Sequence, residues 1–253
     1  MNNDIGKIEM PRDYTTLASS IIDIILPPAC PLCEKDICAA GSLFCGACYA
    51  ELCSTLLKSP MCAMCGITFI SKASEDHLCS ECITGPPLYA MARSVFAYDG
   101  PVKEAIRLFK YSGRSTLGAP LGDLMRLVTE SLPAPPGRVM PVPLHKKRLR
   151  ARGFNQSLLL ARQVAGIFSA PLSYNNLKRT RYTAEQVNLT RGQRAANVAG
   201  AFELERPREV EGRTVALVDD VYTTGATIKE CAKVLKKAGA AVYALTLARA
   251  IKV

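Results

Sequence analysis

Four Cys-x-x-Cys pairs near the N-terminal end constrain this chain more than any other feature, because each pair can direct two thiolates at one metal ion. The first and second pairs are separated by 11 residues (34–44), and the third and fourth by 13 residues (66–78). Two neighbouring pairs can therefore close on one tetrahedral ion. Four thiolates leave no position for a substrate, and we therefore expect two structural zinc sites. The expected ligands are Cys30, Cys33, Cys45 and Cys48 for one ion, and Cys62, Cys65, Cys79 and Cys82 for the other.

The N-terminal residues and the remaining thiols bear on this interpretation. No basic stretch is followed by an apolar run, so no secretory signal is predicted, and the apolar run 17–26 is about half the length of a membrane span. We expect a cytoplasmic protein without a membrane span, where clustered thiols favour metal. Disulfides and an iron–sulphur cluster are the alternatives. Cys38 and Cys53 are spare ligands or small buried residues, and Cys231 is expected in the core.

Composition divides the chain into an N-terminal helix (1–28), a cysteine-rich module with two zinc sites (29–87) and a domain of alternating strands and helices (88–253). That alternation predicts an α/β fold with a mainly parallel sheet flanked by helices. The stretch 178–200 is expected to be mostly irregular. The predicted strands are 92–98, 138–141, 213–218 and 241–248, and the predicted helices are 14–26, 100–110, 117–130, 155–168, 191–197 and 225–238.

The run Val215–Thr227 (VALVDDVYTTGAT) is the strongest candidate for a ligand site. An apolar strand leads to Asp219 and Asp220, and a Thr/Gly-rich turn then leads into a helix. Hydroxyls and backbone N–H groups at a helix start suit a phosphate, while the two acids suit ribose hydroxyls, directly or through Mg²⁺. The alternative is a strand followed by ordinary capping residues. The ATPase phosphate-loop pattern is absent from the sequence.

Positive charge is concentrated in one segment. The chain carries a net charge of +10, and the segment 138–194 holds twelve Lys/Arg and one acid. Five of these cations lie within seven residues: Lys146, Lys147, Arg148, Arg150 and Arg152. A solvated basic loop explains any one of them, but opposite a phosphate site they suit a diphosphate or a nucleic-acid backbone.

The run 215–227 closely resembles the phosphoribosyl-diphosphate (PRPP) binding motif of type I phosphoribosyltransferases. Three further stretches, 98–113, 141–156 and 177–202, together with the cysteine pairs, resemble the ComF family of competence-associated proteins. The resemblance implies a type I phosphoribosyltransferase fold behind a double zinc ribbon. It also implies PRPP with Mg²⁺ as ligand, and single-stranded DNA and a helicase-like protein of DNA uptake as partners.

The resemblance also implies roles for individual residues. Asp219 and Asp220 would contact the ribose diol, and either is a candidate general base. The 5′-phosphate would be held by Thr223, Thr224, Gly225, Ala226 and Thr227. The diphosphate side and a loop that closes over PRPP would contain Lys110, Tyr111, Arg148, Arg152, Arg179, Arg181 and Arg191.

Three functions are compatible with the sequence. The leading hypothesis is a ComF-type protein that binds PRPP and acts with single-stranded DNA in natural transformation or DNA utilisation. The second is a phosphoribosyltransferase of nucleotide metabolism with an unidentified acceptor, and the third is a non-catalytic module that senses PRPP. The sequence shows no recognisable nucleobase pocket, so the acceptor is not predicted.

Overall fold

The computed structural model describes residues 29–37, 43–69, 75–111, 113–182 and 190–251. The chain forms two compact units, which divide between Glu51 and Leu52. The helix expected over 14–26 and the spare Cys38 lie outside the described residues. The domain limits expected at residues 28 and 87 stay predictions.

The first unit contains the first two cysteine pairs. Ala29 forms an antiparallel bridge with Asp36, and the backbone N–H of Glu34 donates to the carbonyl of Cys30, which closes a tight turn around the first pair. Phe44 is buried, and helix α1 (Gly46–Ser54) begins directly after Cys45. A turn and a helix start thereby hold the cysteine pairs.

The second unit is built on a four-stranded parallel sheet in the order β1-β6-β5-β2. Strands β3 and β4 form a separate two-stranded antiparallel sheet. The strands are β1 (Met91–Ala97), β2 (Arg138–Pro141), β3 (Leu177–Arg179), β4 (Phe202–Leu204), β5 (Thr214–Tyr222) and β6 (Ala241–Arg249). The remaining helices are α2 (Ser80–Thr84), α3 (Gly100–Tyr111), α4 (Gly118–Asp123), α5 (Arg126–Thr129), α6 (Lys146–Arg152), α7 (Gln156–Phe168), α8 (Arg191–Val198) and α9 (Ala226–Lys237), with 3-10 turns at Ser115–Leu117 and Pro207–Glu209.

The core lies between the sheet and the amphipathic helices. Strand β5 is buried along nearly its whole length, as expected for a central parallel strand covered on both faces. Helix α9 buries Ile228, Cys231 and Leu235 on one face, which confirms that Cys231 belongs to the core. The predicted α/β fold with a parallel sheet flanked by helices is confirmed.

Both edges of the sheet are covered by irregular chain. Along β1, the N–H of Leu57 donates to the carbonyl of Val95 and the N–H of Ala97 donates to the carbonyl of Thr55. Further along the same edge, the N–H of Ala92 donates to the carbonyl of Met64 at 2.7 Å. Along β2, residues 171–173 pair with Val139.

The helix predicted over 117–130 is broken into shorter pieces. Helix α4 ends at Asp123 and α5 begins at Arg126, and two glycines of α4 pack closely on α7. A Cβ added at Gly118 would lie 2.7 Å from Cβ of Leu159, and one at Gly122 would lie 2.7 Å from Cβ of Gln163. The close approach of α4 and α7 explains the two glycines.

Three predictions along the basic and acidic segments need correction. Helix α6 was not predicted, because its seven residues carry no apolar periodicity. Arg179 lies in β3 and is buried, whereas the stretch 178–200 was expected to be mostly irregular. Strand β5 runs on to Tyr222, so Asp219 and Asp220 lie within the strand and do not follow it. Within the described ranges, no helix combines the length and apolar character needed to cross a bilayer.

Candidate functional site

The first cysteine cluster brings together Cys30, Cys33, Cys45 and Cys48. Their sulphur atoms all lie within 4.8 Å of one another, and the Sγ atoms of Cys33 and Cys45 are 3.5 Å apart. A tetrahedral zinc ion with bonds of about 2.3 Å separates its sulphur ligands by about 3.8 Å. The donor set and the spacing therefore fit a closed structural zinc site.

The second cluster brings together Cys62, Cys65, Cys79 and Cys82, and it belongs to the same unit as the sheet. The backbone N–H groups of Cys65 and Cys79 both donate to Sγ of Cys62 at 3.4 Å. Burial opposes ionisation of this thiol, but these N–H groups outweigh it and lower the pKa of Cys62 to about 6. A sulphur held as thiolate is the form that binds zinc. Cys53 belongs to neither cluster.

The two acids of β5 are buried side by side at the carboxyl end of the sheet. The first turn of α7, which begins after the N-cap Asn155, supplies partners for both. The Ser157 hydroxyl donates to Oδ1 of Asp219 at 2.8 Å, and the Gln156 amide donates to Oδ1 of Asp220 at 3.4 Å. The Lys110 ammonium at the end of α3 forms an ion pair with the other oxygen of Asp220.

These contacts give the two acids different protonation behaviour. Burial, together with the charge of Asp220, raises the pKa of Asp219 to about 7. Burial also opposes ionisation of Asp220, but the charge and hydrogen bond of Lys110 outweigh it and lower its pKa. Near neutral pH the pair therefore holds one firmly ionised carboxylate and one that exchanges its proton.

The turn between β5 and α9 lies on the same cleft, which Thr223, Gly225, Ala226 and Thr227 line. Gly225 has φ of +73°, a conformation that L-residues other than glycine rarely adopt, and α9 begins at the next residue. The Tyr222 ring lies directly against Gly225, since a Cβ added there would be 2.1 Å from Oη of Tyr222. A helix start of this kind favours an anion, because backbone N–H groups and the positive end of the helix dipole meet there.

The acids and the turn open into a cleft of about 390 Å³ that is strongly basic. Val142, Pro143 and Leu144 after β2 form part of its wall. The cleft is lined by two acids and by seven cations, which are Lys103, Arg107, Lys110, Arg148, Arg152, Arg179 and Arg194. This excess of positive charge suits a ligand with several negative charges.

The structure places most, but not all, of the predicted site residues on this cleft. The predicted residues that line it are Asp219, Asp220, Thr223, Gly225, Ala226, Thr227, Lys110, Tyr111, Arg148, Arg152 and Arg179. Thr224 lines a smaller neighbouring cavity, and its hydroxyl accepts from the N–H of Ala226 at 3.4 Å. Arg181 donates to the carbonyls of Asn197 and Ala199 near the end of α8, and Arg191 begins that helix.

Three groups of this site were missed in the sequence. Ser157 holds Asp219, and the Asn155 cap before an apolar helix is the pattern that would have identified it. Lys103 and Arg107 precede Lys110 at helical spacing on α3. No sequence pattern predicts Arg249, which comes from the end of β6 and touches the second cysteine cluster.

Comparison with protein families matches two parts of the chain. Residues 21–83 match the double zinc ribbon domain, and residues 155–251 match the phosphoribosyl transferase domain. The second range contains the acids of β5, the turn and α9. With its parallel sheet and flanking helices, the second unit therefore has a phosphoribosyltransferase fold.

Characterised relatives are similar over most of the chain. DNA utilization protein YhgH of Escherichia coli is 34% identical over 225 residues, which covers 86% of this chain and 95% of the relative. Competence protein F of Haemophilus influenzae is 31% identical over 217 residues, covering 83% of this chain and 91% of the relative. Among solved structures, adenine phosphoribosyltransferase from Leishmania donovani is 12% identical with a TM-score of 0.36, over 56% of this chain and 68% of that one.

Proposed function

Because the chain belongs to the ComF family of competence and DNA-utilisation proteins, with its double zinc ribbon and phosphoribosyltransferase domain, we propose that its basic cleft binds PRPP together with Mg²⁺. The observation that carries this proposal is the convergence of a buried acid pair, a helix-start turn and seven cations on one cleft. PRPP presents the matching groups, a ribose diol between a 5′-phosphate and a diphosphate.

Each part of the cleft has a role in this proposal. Asp219 and Asp220 receive the ribose hydroxyls, and the turn 223–227 holds the 5′-phosphate with N–H groups and hydroxyls. Arg148, Arg152 and Arg179 face the diphosphate. Mg²⁺ neutralises diphosphate charge when it is bound, and carboxylate and phosphate oxygens are its preferred ligands. Lys110 keeps Asp220 ionised and in place.

Calorimetry with PRPP and Mg²⁺ tests this proposal with a matched pair of glycine variants. Gly225→Ala places a methyl group against the Tyr222 ring and strains a positive φ in the turn, and we expect at least about tenfold weaker binding. Gly200→Ala imposes similar backbone strain, with φ of +65° but open space around the new methyl group, and should bind like the unchanged protein. No heat of binding with the unchanged protein, or equal binding by both variants, would contradict the proposal.

We further propose that the protein acts with single-stranded DNA. Two exposed tyrosines, of which Tyr111 lines the cleft, each have a cation nearby: Lys147 lies 5.1 Å from the Tyr182 ring centroid, and Arg152 lies 5.2 Å from that of Tyr111. Exposed rings next to cations are the usual platform for stacked bases beside a phosphate backbone. The helicase-like partner implied by the family resemblance stays a prediction.

Binding of a fluorescent single-stranded oligonucleotide tests this second proposal. Lys147→Ala with Arg150→Ala removes two cations of α6 that do not line the cleft, and we expect weaker binding with a shallower salt dependence. Lys236→Ala with Lys237→Ala removes the same charge from the end of α9 and serves as the control. Equal loss in both double variants would show a general charge effect and contradict a specific DNA surface.

A further inference from the structure

Arg249, at the end of β6, is a buried cation with an unusual set of partners. Its side chain is only 7% exposed, and among the described residues it makes no ion pair with a carboxylate. Instead, Nη1 donates to the carbonyl of Cys65 at 2.7 Å, and Nη2 points at Sγ of the same residue at 3.7 Å. A buried guanidinium needs a compensating negative charge.

The second cysteine cluster supplies that charge when it holds zinc. Four thiolates around one Zn²⁺ ion carry a net charge of −2, and groups that donate to ligand sulphurs orient them and offset that charge. Arg93 of β1 is buried against the same cysteine pair and donates to the carbonyls of Cys62 and Ala63. The sheet therefore presents two cations to a dianionic centre, and Arg249 reaches its sulphur directly.

The Arg249 guanidinium is also linked to the turn 223–227, through the side chain of Tyr222. It lies 4.2 Å from the ring centroid of Tyr222, whose hydroxyl shares a hydrogen bond of 2.7 Å with that of Tyr89. The same Tyr222 ring lies against Gly225 in the turn. The contacts therefore run without a gap from the Cys65 sulphur through the Arg249 guanidinium and the Tyr222 ring to Gly225, all within the second unit.

We propose that Arg249 is a positioning residue that couples zinc in the second cysteine cluster to the shape of the turn 223–227. The proposal rests on the proposed function, in which this turn holds the phosphate of PRPP. Without zinc, Arg249 loses its compensating charge and leaves its place on Tyr222, and Gly225 loses the ring that supports it. Coupling of this kind is reciprocal, so phosphate binding at the turn must also tighten zinc in the second cluster.

Zinc release from the full-length protein measures this coupling, and the first cluster serves as an internal reference. Release to the coloured chelator 4-(2-pyridylazo)resorcinol is followed with and without saturating PRPP and Mg²⁺, and Cys33→Ser identifies the phase that belongs to the first cluster. We expect PRPP to slow release from the second cluster about fivefold or more and to leave the first phase unchanged. In a protein that binds PRPP by calorimetry, equal slowing of both phases, or of neither, would overturn the proposal.

Two arginine variants separate coupling from simple support of the metal site. Arg249→Met and Arg93→Met each remove a cation from the same cysteine pair, so both should release the second zinc ion faster. Only Arg93→Met should keep the protection by PRPP, because Arg249 alone of the two contacts Tyr222. Arg249→Lys, which restores the charge, should recover part of the protection. Full protection in Arg249→Met would refute the role of Arg249.

A second measurement needs no ligand and distinguishes this proposal from the proposed function. Hydrogen exchange of the amides of residues 223–228 should speed up in Arg249→Met and in Tyr222→Leu, but not in Arg93→Met. Unchanged exchange in the first two variants would overturn the coupling even if PRPP binds. Faster exchange in a protein that shows no heat with PRPP would instead leave the coupling standing and overturn the proposed ligand.

Discussion

The two adjacent carboxylates of β5 differ because their neighbours differ. Asp220 faces the Lys110 ammonium, whereas Asp219 is enclosed with the Ser157 hydroxyl and the charge of its neighbour. Both acids line the same cleft and accept a hydrogen bond from the first turn of α7, but Lys110 forms its ion pair with Asp220. The sequence alone shows two equal aspartates, and the Lys110 ammonium from α3 makes them unequal.

The raised pKa of Asp219 gives a testable pH dependence of stability. An acid that titrates near 4 when unfolded and at about 7 when folded binds more protons in the folded state, so the free energy of unfolding falls as pH rises between these values. From pH 6 to pH 8 this group alone should remove about 1 kcal/mol. Urea unfolding without PRPP should show this loss in the unchanged protein and not in Asp219→Asn. Parallel pH curves for the two proteins would contradict the expectation.

At the level of the elements, the contact between α4 and α7 depends on small residues. Gly122 lies so close to Gln163 that an added methyl group would meet its Cβ and Cγ at 2.7 and 2.5 Å. These atoms near the backbone of α7 cannot move aside without shifting the helix. Because α7 also carries Ser157 and Gln156, this contact helps to hold the helix that faces the two acids.

Two glycine-to-alanine variants test this contact. Gly122→Ala should lower the free energy of unfolding by about 1–3 kcal/mol through overpacking. Gly166→Ala lies in α7 with open space around the new methyl group, and it should be neutral or stabilise by up to about 1 kcal/mol through helix propensity. Thermal or urea unfolding provides the measurement. A neutral Gly122→Ala would show that the helices adjust without penalty.

The elements also show where sequence-based prediction succeeds and where it fails. The strands at 138–141 and 241–248 and the helix at 155–168 were placed within a residue or two, because apolar runs, caps and turn residues define them locally. The helix predicted over 117–130 is split at 124–125, and the packing partner of its Gly122 is 41 residues further along the chain at Gln163. Helix α6 failed because its sequence is nearly all basic.

The candidate site also has a part that the sequence predicts and a part that only the fold reveals. The turn 223–227 and the two acids were predicted because they are contiguous in the sequence and form a motif with a chemical purpose. The partners of the acids, Lys110 and Ser157, come from two other elements, and only the fold brings them together. Arg179 was predicted on an irregular stretch that forms a loop over PRPP, yet it lies buried in the short strand β3, which no local pattern indicates.

At the scale of the whole molecule, loss of the first cysteine cluster and loss of the second should have different effects on the melting temperature. Metal analysis of the purified protein should give two zinc ions per chain, and Cys→Ser changes in either cluster should lower this to one. Because the second cluster lies in the same unit as the sheet, Cys62→Ser with Cys65→Ser should lower the melting temperature of that unit. Cys30→Ser with Cys33→Ser should leave it unchanged. Equal shifts from both double variants would contradict this assignment.

The irregular chain that covers the edge strand β1 bears on whether the protein self-associates. A parallel strand at the edge of a sheet offers unpaired N–H and C=O groups, and such edges invite strands of other molecules. Here Met64, held between Cys62 and Cys65, takes one of those hydrogen bonds from Ala92. We therefore expect removal of zinc from the second cluster to uncover part of the β1 edge, so that chelator-treated protein self-associates, which light scattering would measure.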